Sequence, residues 1–143
     1  MRYKFVHNEA AESYSSDSGE RTVFLATGSD TDGRVSVYDS RLPKGNGAPW
    51  HYHEIDDEIF YIISGKVKFD VMDETVVAGP GDMVIAGPLV RRKFQAVEDS
   101  HLVVVNAPGG PSEGFLREVL NIESAPTEQD KARFIEKYGI HIV

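Results

Sequence analysis

With 143 residues, 41% of them hydrophobic, the chain has the length of one domain and enough apolar content to bury a core without covalent staples. It has no cysteine, which removes disulfides, thiolate nucleophiles and cysteine-bound metals and leaves His, Asp and Glu as the metal-ligating types. The net charge of −8 argues against nucleic acid as a partner, and no apolar run approaches the roughly 18 residues of a membrane span.

Residues 1–20 are polar and Ser-rich towards their end, so they predict an irregular lead-in. They lack the apolar stretch of a secretory signal, which leads to the expectation of a cytoplasmic protein. From there short runs rich in β-branched and aromatic residues follow at 21–27, 34–42, 58–63, 66–72, 75–77, 82–86, 93–97 and 102–106. Turn residues such as Ser64-Gly65, Met72-Asp73 and Gly79-Pro80-Gly81-Asp82 separate them. The pattern predicts an all-β sandwich or barrel. Residues 58–63 are apolar on both faces: Phe60 and Ile62 suit an interior, while Ile59, Tyr61 and Ile63 suit a second sheet or the partner of a homodimer. Near the end, Thr127 with Asp130 forms a capping signature, Ala132, Ile135 and Tyr138 repeat at helical spacing, and Gly139 can terminate. One short C-terminal helix is expected over 127–138, with a tail that packs back on the barrel.

The residues that carry chemistry lie between the second and third runs. His51 and His53 are two apart, so on a strand both imidazoles point to one face. After a turn at 54–57, Glu58 opens the next strand and can face them. Two imidazoles and one carboxylate make the ligand set of a facial triad, which suits one divalent ion (Fe, Mn, Ni, Co or Zn) and leaves positions for substrate and O₂. Taken alone, two histidines two apart also occur on strands that bind nothing. The basic run Arg91-Arg92-Lys93 reads first as a solvated strand.

Gly45, His51, His53, Glu58 and Gly65, with five, one, four and six residues between them, resemble the first motif of the cupin superfamily position for position. Gly81, Asp82 and Pro88 resemble its second motif, but Leu89 replaces the usual glycine and Arg92 stands where a histidine, the fourth ligand, is expected. A guanidinium with a pKa above about 12 cannot coordinate a metal. The resemblance therefore implies a single cupin domain over 1–143, a double-stranded β-helix or jelly-roll barrel, with His51, His53 and Glu58 as metal ligands. Arg92 has two readings: beside the metal it anchors an anionic substrate group, or it pairs with Glu58 and abolishes metal binding. His101 opens a later strand and is expected to face solvent, and nothing places His7 or His141 at the site.

Features from residue 21 onward are similar to those of bacterial quercetin-dioxygenase-like single-domain cupins. That likeness implies a metal-dependent, dioxygenase-like enzyme acting with O₂ on a small hydroxylated, keto-enol or aromatic compound, with Arg92 and Glu58 as catalytic residues. Phe60, Ile62, Trp50, Phe69 and Phe94 are candidate pocket walls. A cupin fold does not fix a reaction. A Lewis-acid polyketide cyclase, isomerase or lyase, with Tyr61 or Glu54 as conceivable bases, and a metal-free binding module remain open alternatives.

Overall fold

The computed structural model describes residues 2–143. In chain order the strands are β1 (Ser13–Ser15), β2 (Arg21–Ala26), β3 (Ser36–Leu42), β4 (Gly47–His53), β5 (Asp57–Ser64), β6 (Val67–Val71), β7 (Glu74–Ala78), β8 (Met83–Ala86), β9 (Arg92–Ala96) and β10 (Ser100–Ala107). Helices α1 (Gly110–Val119) and α2 (Glu128–Tyr138) and strand β11 (Ile140–Ile142) follow. Two antiparallel sheets, ordered β1-β2-β3-β10-β5-β8 and β11-β4-β9-β6-β7, face each other as a jelly-roll barrel.

Strand alternation sets the interior. On β5, Glu58, Phe60 and Ile62 are buried, whereas Tyr61 and Ile63 are exposed on the outer face. Phe60, Phe69 and Phe94 pack at tilted and edge-on angles across the two sheets with ring centroids 5.0, 5.2 and 5.6 Å apart, which fills the barrel beneath the site. Leu42, Ile62, Val67 and Leu102 complete this core. Truncating a fully buried ring such as Phe60 to alanine costs about 3–5 kcal/mol in cores of this kind. Gly65, at φ 86°, turns β5 into β6, and a Cβ there would collide with Ser100 and the Asp99 carbonyl.

Helix α2 forms as its capping signature predicts. Thr127 accepts from the Asp130 amide at 3.1 Å, Asp130 accepts from the Thr127 amide at 2.9 Å, and Gly139 closes the helix at φ 66°. The expectation of one helix needs correction: α1 precedes α2 and packs Phe115 edge-on against Phe134 at 5.1 Å. Its glycines disguised it, although Pro111 sits in its first turn, where proline's missing N–H costs nothing. The lead-in is also less irregular than expected, since Ser13–Ser15 pair with β2. The tail does pack back: Ile140, His141 and Ile142 pair with His53, Tyr52 and His51. Among the described residues no helix is long and apolar enough to cross a membrane.

Candidate metal centre

His51 and His53 project inward from β4, and Glu58 projects towards them from the start of β5. Gly47 is needed for this geometry, because a Cβ at that position would strike the Phe94 carbonyl on the neighbouring strand β9. Ligand atoms from His51, His53 and Glu58 all lie within 4.8 Å of one another, compatible with a divalent ion. Each Nε2 is 3.9 Å from Glu58 Oε1. A tetrahedral ion with bonds near 2.1 Å asks for donors about 3.4 Å apart, so each histidine would close on Glu58 by about half an ångström to hold it.

The other imidazole nitrogens fix which atoms face the centre. His51 Nδ1 lies 2.7 Å from the Pro49 carbonyl oxygen, and His53 Nδ1 lies 2.9 and 3.0 Å from the Asp56 carboxylate. A carbonyl only accepts, and so does an ionised carboxylate, so both Nδ1 atoms carry a proton and each Nε2 turns to Glu58, donating to it from a charged ring or presenting a lone pair to an ion from a neutral one. Asp56 is fully buried and also accepts from Asn106 Nδ2 at 2.6 Å, while the same amide reaches Glu58 Oε2 at 3.2 Å. Burial alone would raise the Glu58 carboxyl, but positive charge on the His53 and His51 rings, together with the Arg92 guanidinium, outweighs it and holds Glu58 well below the usual carboxylate range. Two buried carboxylates against one guanidinium leave the cluster short of positive charge when the imidazoles are neutral. The donor set therefore fits a divalent ion.

Arg92 faces the interior, as strand alternation predicts, with Phe94 on the same side. Lys93 lies over Trp50 outside and Arg91 is exposed near Tyr52. On β9 Arg92 stands directly opposite His51. Its Nη2 donates to Glu58 Oε1 at 2.9 Å and its Nη1 to the Val90 carbonyl at 2.8 Å. It is wholly buried and does not line the cavity, so its contact with chemistry runs through Glu58. Leu89, in place of the family's glycine, adopts φ 68°, and its amide donates to the His53 carbonyl at 2.8 Å.

A cavity of about 310 Å³ opens onto His51 and Glu58. Phe60 and Phe94 line it as expected, but Ile62 and Phe69 are sealed in the core and Trp50 lies outside. Tyr61 and Glu54 are exposed on the outer surface, away from the donors. His101 pairs with Asp39 and His141 with Glu54, so neither joins the centre. Sequence reasoning missed three contributors. Asp56 sat inside the ligand turn, Asn106 was a lone amide in an apolar strand opposite Glu58, and α1 supplies Phe115, Leu116 and Val119 to the cavity. Asn106 and the helical spacing of 115, 116, 119 and 120 were the signals.

A two-histidine, one-carboxylate centre inside a jelly-roll barrel defines the cupin class, and a cupin domain model matches residues 38–108. The chain belongs to the cupin superfamily. It is 33% identical over 60 residues to quercetin 2,3-dioxygenase of Bacillus subtilis, a stretch that is 42% of this chain and only 18% of that enzyme. KdgF from Halomonas sp. superposes with a TM-score of 0.67 at 20% identity, covering 77% of this chain and 99% of that one. The nucleoside dehydratase Pac13 of Streptomyces superposes with a TM-score of 0.61 at 20% identity, covering 76% of this chain and 83% of its own. At such identities the structural likeness shows the fold alone.

Proposed function

We propose that the protein is a metal-dependent enzyme of small organic molecules, holding one divalent ion on His51, His53 and Glu58 and working as a dioxygenase-like oxidoreductase on a hydroxylated, keto-enol or aromatic compound. The observation that carries the reading is the pair of pinned Nδ1 atoms, which turns both imidazole Nε2 atoms towards one carboxylate, so that neutral rings and Glu58 offer three donors to one point. A bound ion would supply a Lewis acid with coordination positions left open for substrate and O₂. Arg92 takes the place of a fourth ligand without coordinating: it occupies one lone pair of Glu58 Oε1 and leaves another directed at the histidines. The partial likeness to quercetin 2,3-dioxygenase supports an oxygenase.

A second reading, a Lewis-acid cyclase, isomerase or dehydratase, draws on Tyr38. This residue lines the same cavity, and burial pushes its hydroxyl up to about 12, so it stays protonated as a proton donor. Elemental analysis of protein purified without added metal or chelator tests the site. One equivalent in the parent and none in His51→Ala or His53→Ala is expected, and unchanged stoichiometry in those variants refutes the ligand assignment. Oxygen uptake after reconstitution with each of Fe, Mn, Ni, Co and Zn then separates the classes: turnover only without O₂ consumption moves the protein to the second. A homodimer through the outer face of β5 and β8, where Tyr61, Ile63, Met83 and Ile85 are exposed, belongs to the same proposal.

A further inference from the structure

We infer that the cavity selects a ligand with one chelating head and an uncharged, apolar body, and rejects molecules carrying an anionic group remote from that head. The inference rests on the metal-centre reading for the head and on the walls for the body. Around the donors the wall is mainly Phe60 and Phe94 from the barrel and Phe115, Leu116 and Val119 from α1, with the hydroxyls of Thr22, Tyr38 and Ser40 as its uncharged polar groups. The ionisable acids lining the cavity are Glu58, at the centre, and Glu20. No lysine or arginine lines it among the described residues. The one buried guanidinium nearby, Arg92, turns its Nη atoms to Glu58 and Val90, and although its Nε has no partner, the residue is wholly buried and does not line the cavity.

A second carboxylate or phosphate on the ligand would therefore leave water for an apolar wall with no charged donor to receive it, and with Glu20 repelling it. Burial of an unpaired anion costs several kcal/mol, far more than the wall returns by contact with a few polar atoms. An apolar substituent at the same place gains from burial instead, at about 25 cal/mol per Å². A volume of about 310 Å³ sits at the small end of ligand sites, room for one or two rings and little else. Sugar acids, nucleotides and dicarboxylates are thus poor candidates, and compact aromatic diols or enols good ones.

The matched probes are 4-tert-butylcatechol and 3,4-dihydroxybenzoate, which share a chelating head and differ in the remote group. Their affinities are measured by calorimetry on zinc-loaded protein, which cannot oxidise them. Binding at least about tenfold tighter for the tert-butyl compound is expected. Leu116→Lys or Val119→Lys, each placing a cation in the wall, should shrink or invert that ratio. Equal or tighter binding of dihydroxybenzoate by the parent overturns the inference, as does an unchanged ratio in both folded lysine variants. In His51→Ala both probes should weaken while the ratio persists, since it arises in the walls. One equivalent of zinc with neither catechol bound sinks the ligand class and leaves the metal centre standing. Absence of zinc uptake sinks the metal centre, and the ratio still judges the walls.

Discussion

Replacing Asp56 with alanine removes the acceptor 2.9–3.0 Å from His53 Nδ1 and 2.6 Å from Asn106 Nδ2, in a position with no solvent to take over. The His53 ring is then free to rotate or to shift its proton to Nε2, which erases the lone pair aimed at the centre. Loss of such a partner lowers metal affinity by about 10–100-fold, or about 1.4–2.7 kcal/mol. The stranded donors cost the fold about 1–3 kcal/mol as well. Zinc affinity read by competition with a chromogenic chelator, beside urea unfolding of the metal-free protein, separates the two effects. Asp56→Asn returns an acceptor to His53 and should lose less than the alanine variant. An Asp56→Ala protein that binds zinc within about twofold of the parent would refute the reasoning that Asp56 sets the tautomer.

Arg92→His restores an imidazole opposite His51 and frees Glu58 Oε1, so zinc should leave to a chelator at least about tenfold more slowly; faster loss than from the parent counts against Arg92 as a stand-in for the fourth ligand. Leu89 is largely exposed at φ 68°, where a side chain costs about 1–2 kcal/mol and glycine's extra chain entropy about 0.5–1. Leu89→Gly should therefore raise the urea midpoint by the equivalent of up to about 1.5 kcal/mol, and a lower midpoint contradicts this. Tyr38 is held neutral up to about 12 while an unfolded tyrosine ionises near 10, so its contribution is complete below pH 10 and falls as pH rises through 12. Tyr38→Phe should flatten that alkaline decline by about 3 kcal/mol at most, and an unchanged slope refutes the assignment. Ile85→Lys should convert a dimer to a monomer in light scattering, and a parent that is already monomeric disposes of the interface.

The barrel was legible because strand alternation and turn residues act over a few neighbours. The eight runs fall on strands β2, β3 and β5–β10 with ends displaced by one or two residues. His51, His53 and Glu58 were legible for the same reason, their spacing needing only one hairpin. What escaped depends on contacts made across the fold. Whether Phe69 or Phe94 meets the cavity is decided by how the sheets face each other, a matter on which their own strands are silent. Arg92 could be placed inside by register, but its pairing with Glu58 depends on β5 meeting β9 across the barrel. Helix α1 takes its meaning from Phe134 and the cavity mouth, and its local signals, two flanking glycines and a proline, speak more readily of a turn.

The pairing of β11 with β4 gives the strand of the two histidines a neighbour on each side. Without Ile140–Ile142, β4 would become the border of its sheet, with a row of unmet amides and carbonyls beside Trp50 and Tyr52. Such a border is a template for other chains. The few residues after α2 thus act as a selvedge: a nick in the stretch between α1 and α2 that released them would put the ligand strand at risk of joining a neighbour, and the protein would be lost to aggregation before its chemistry could be measured as impaired.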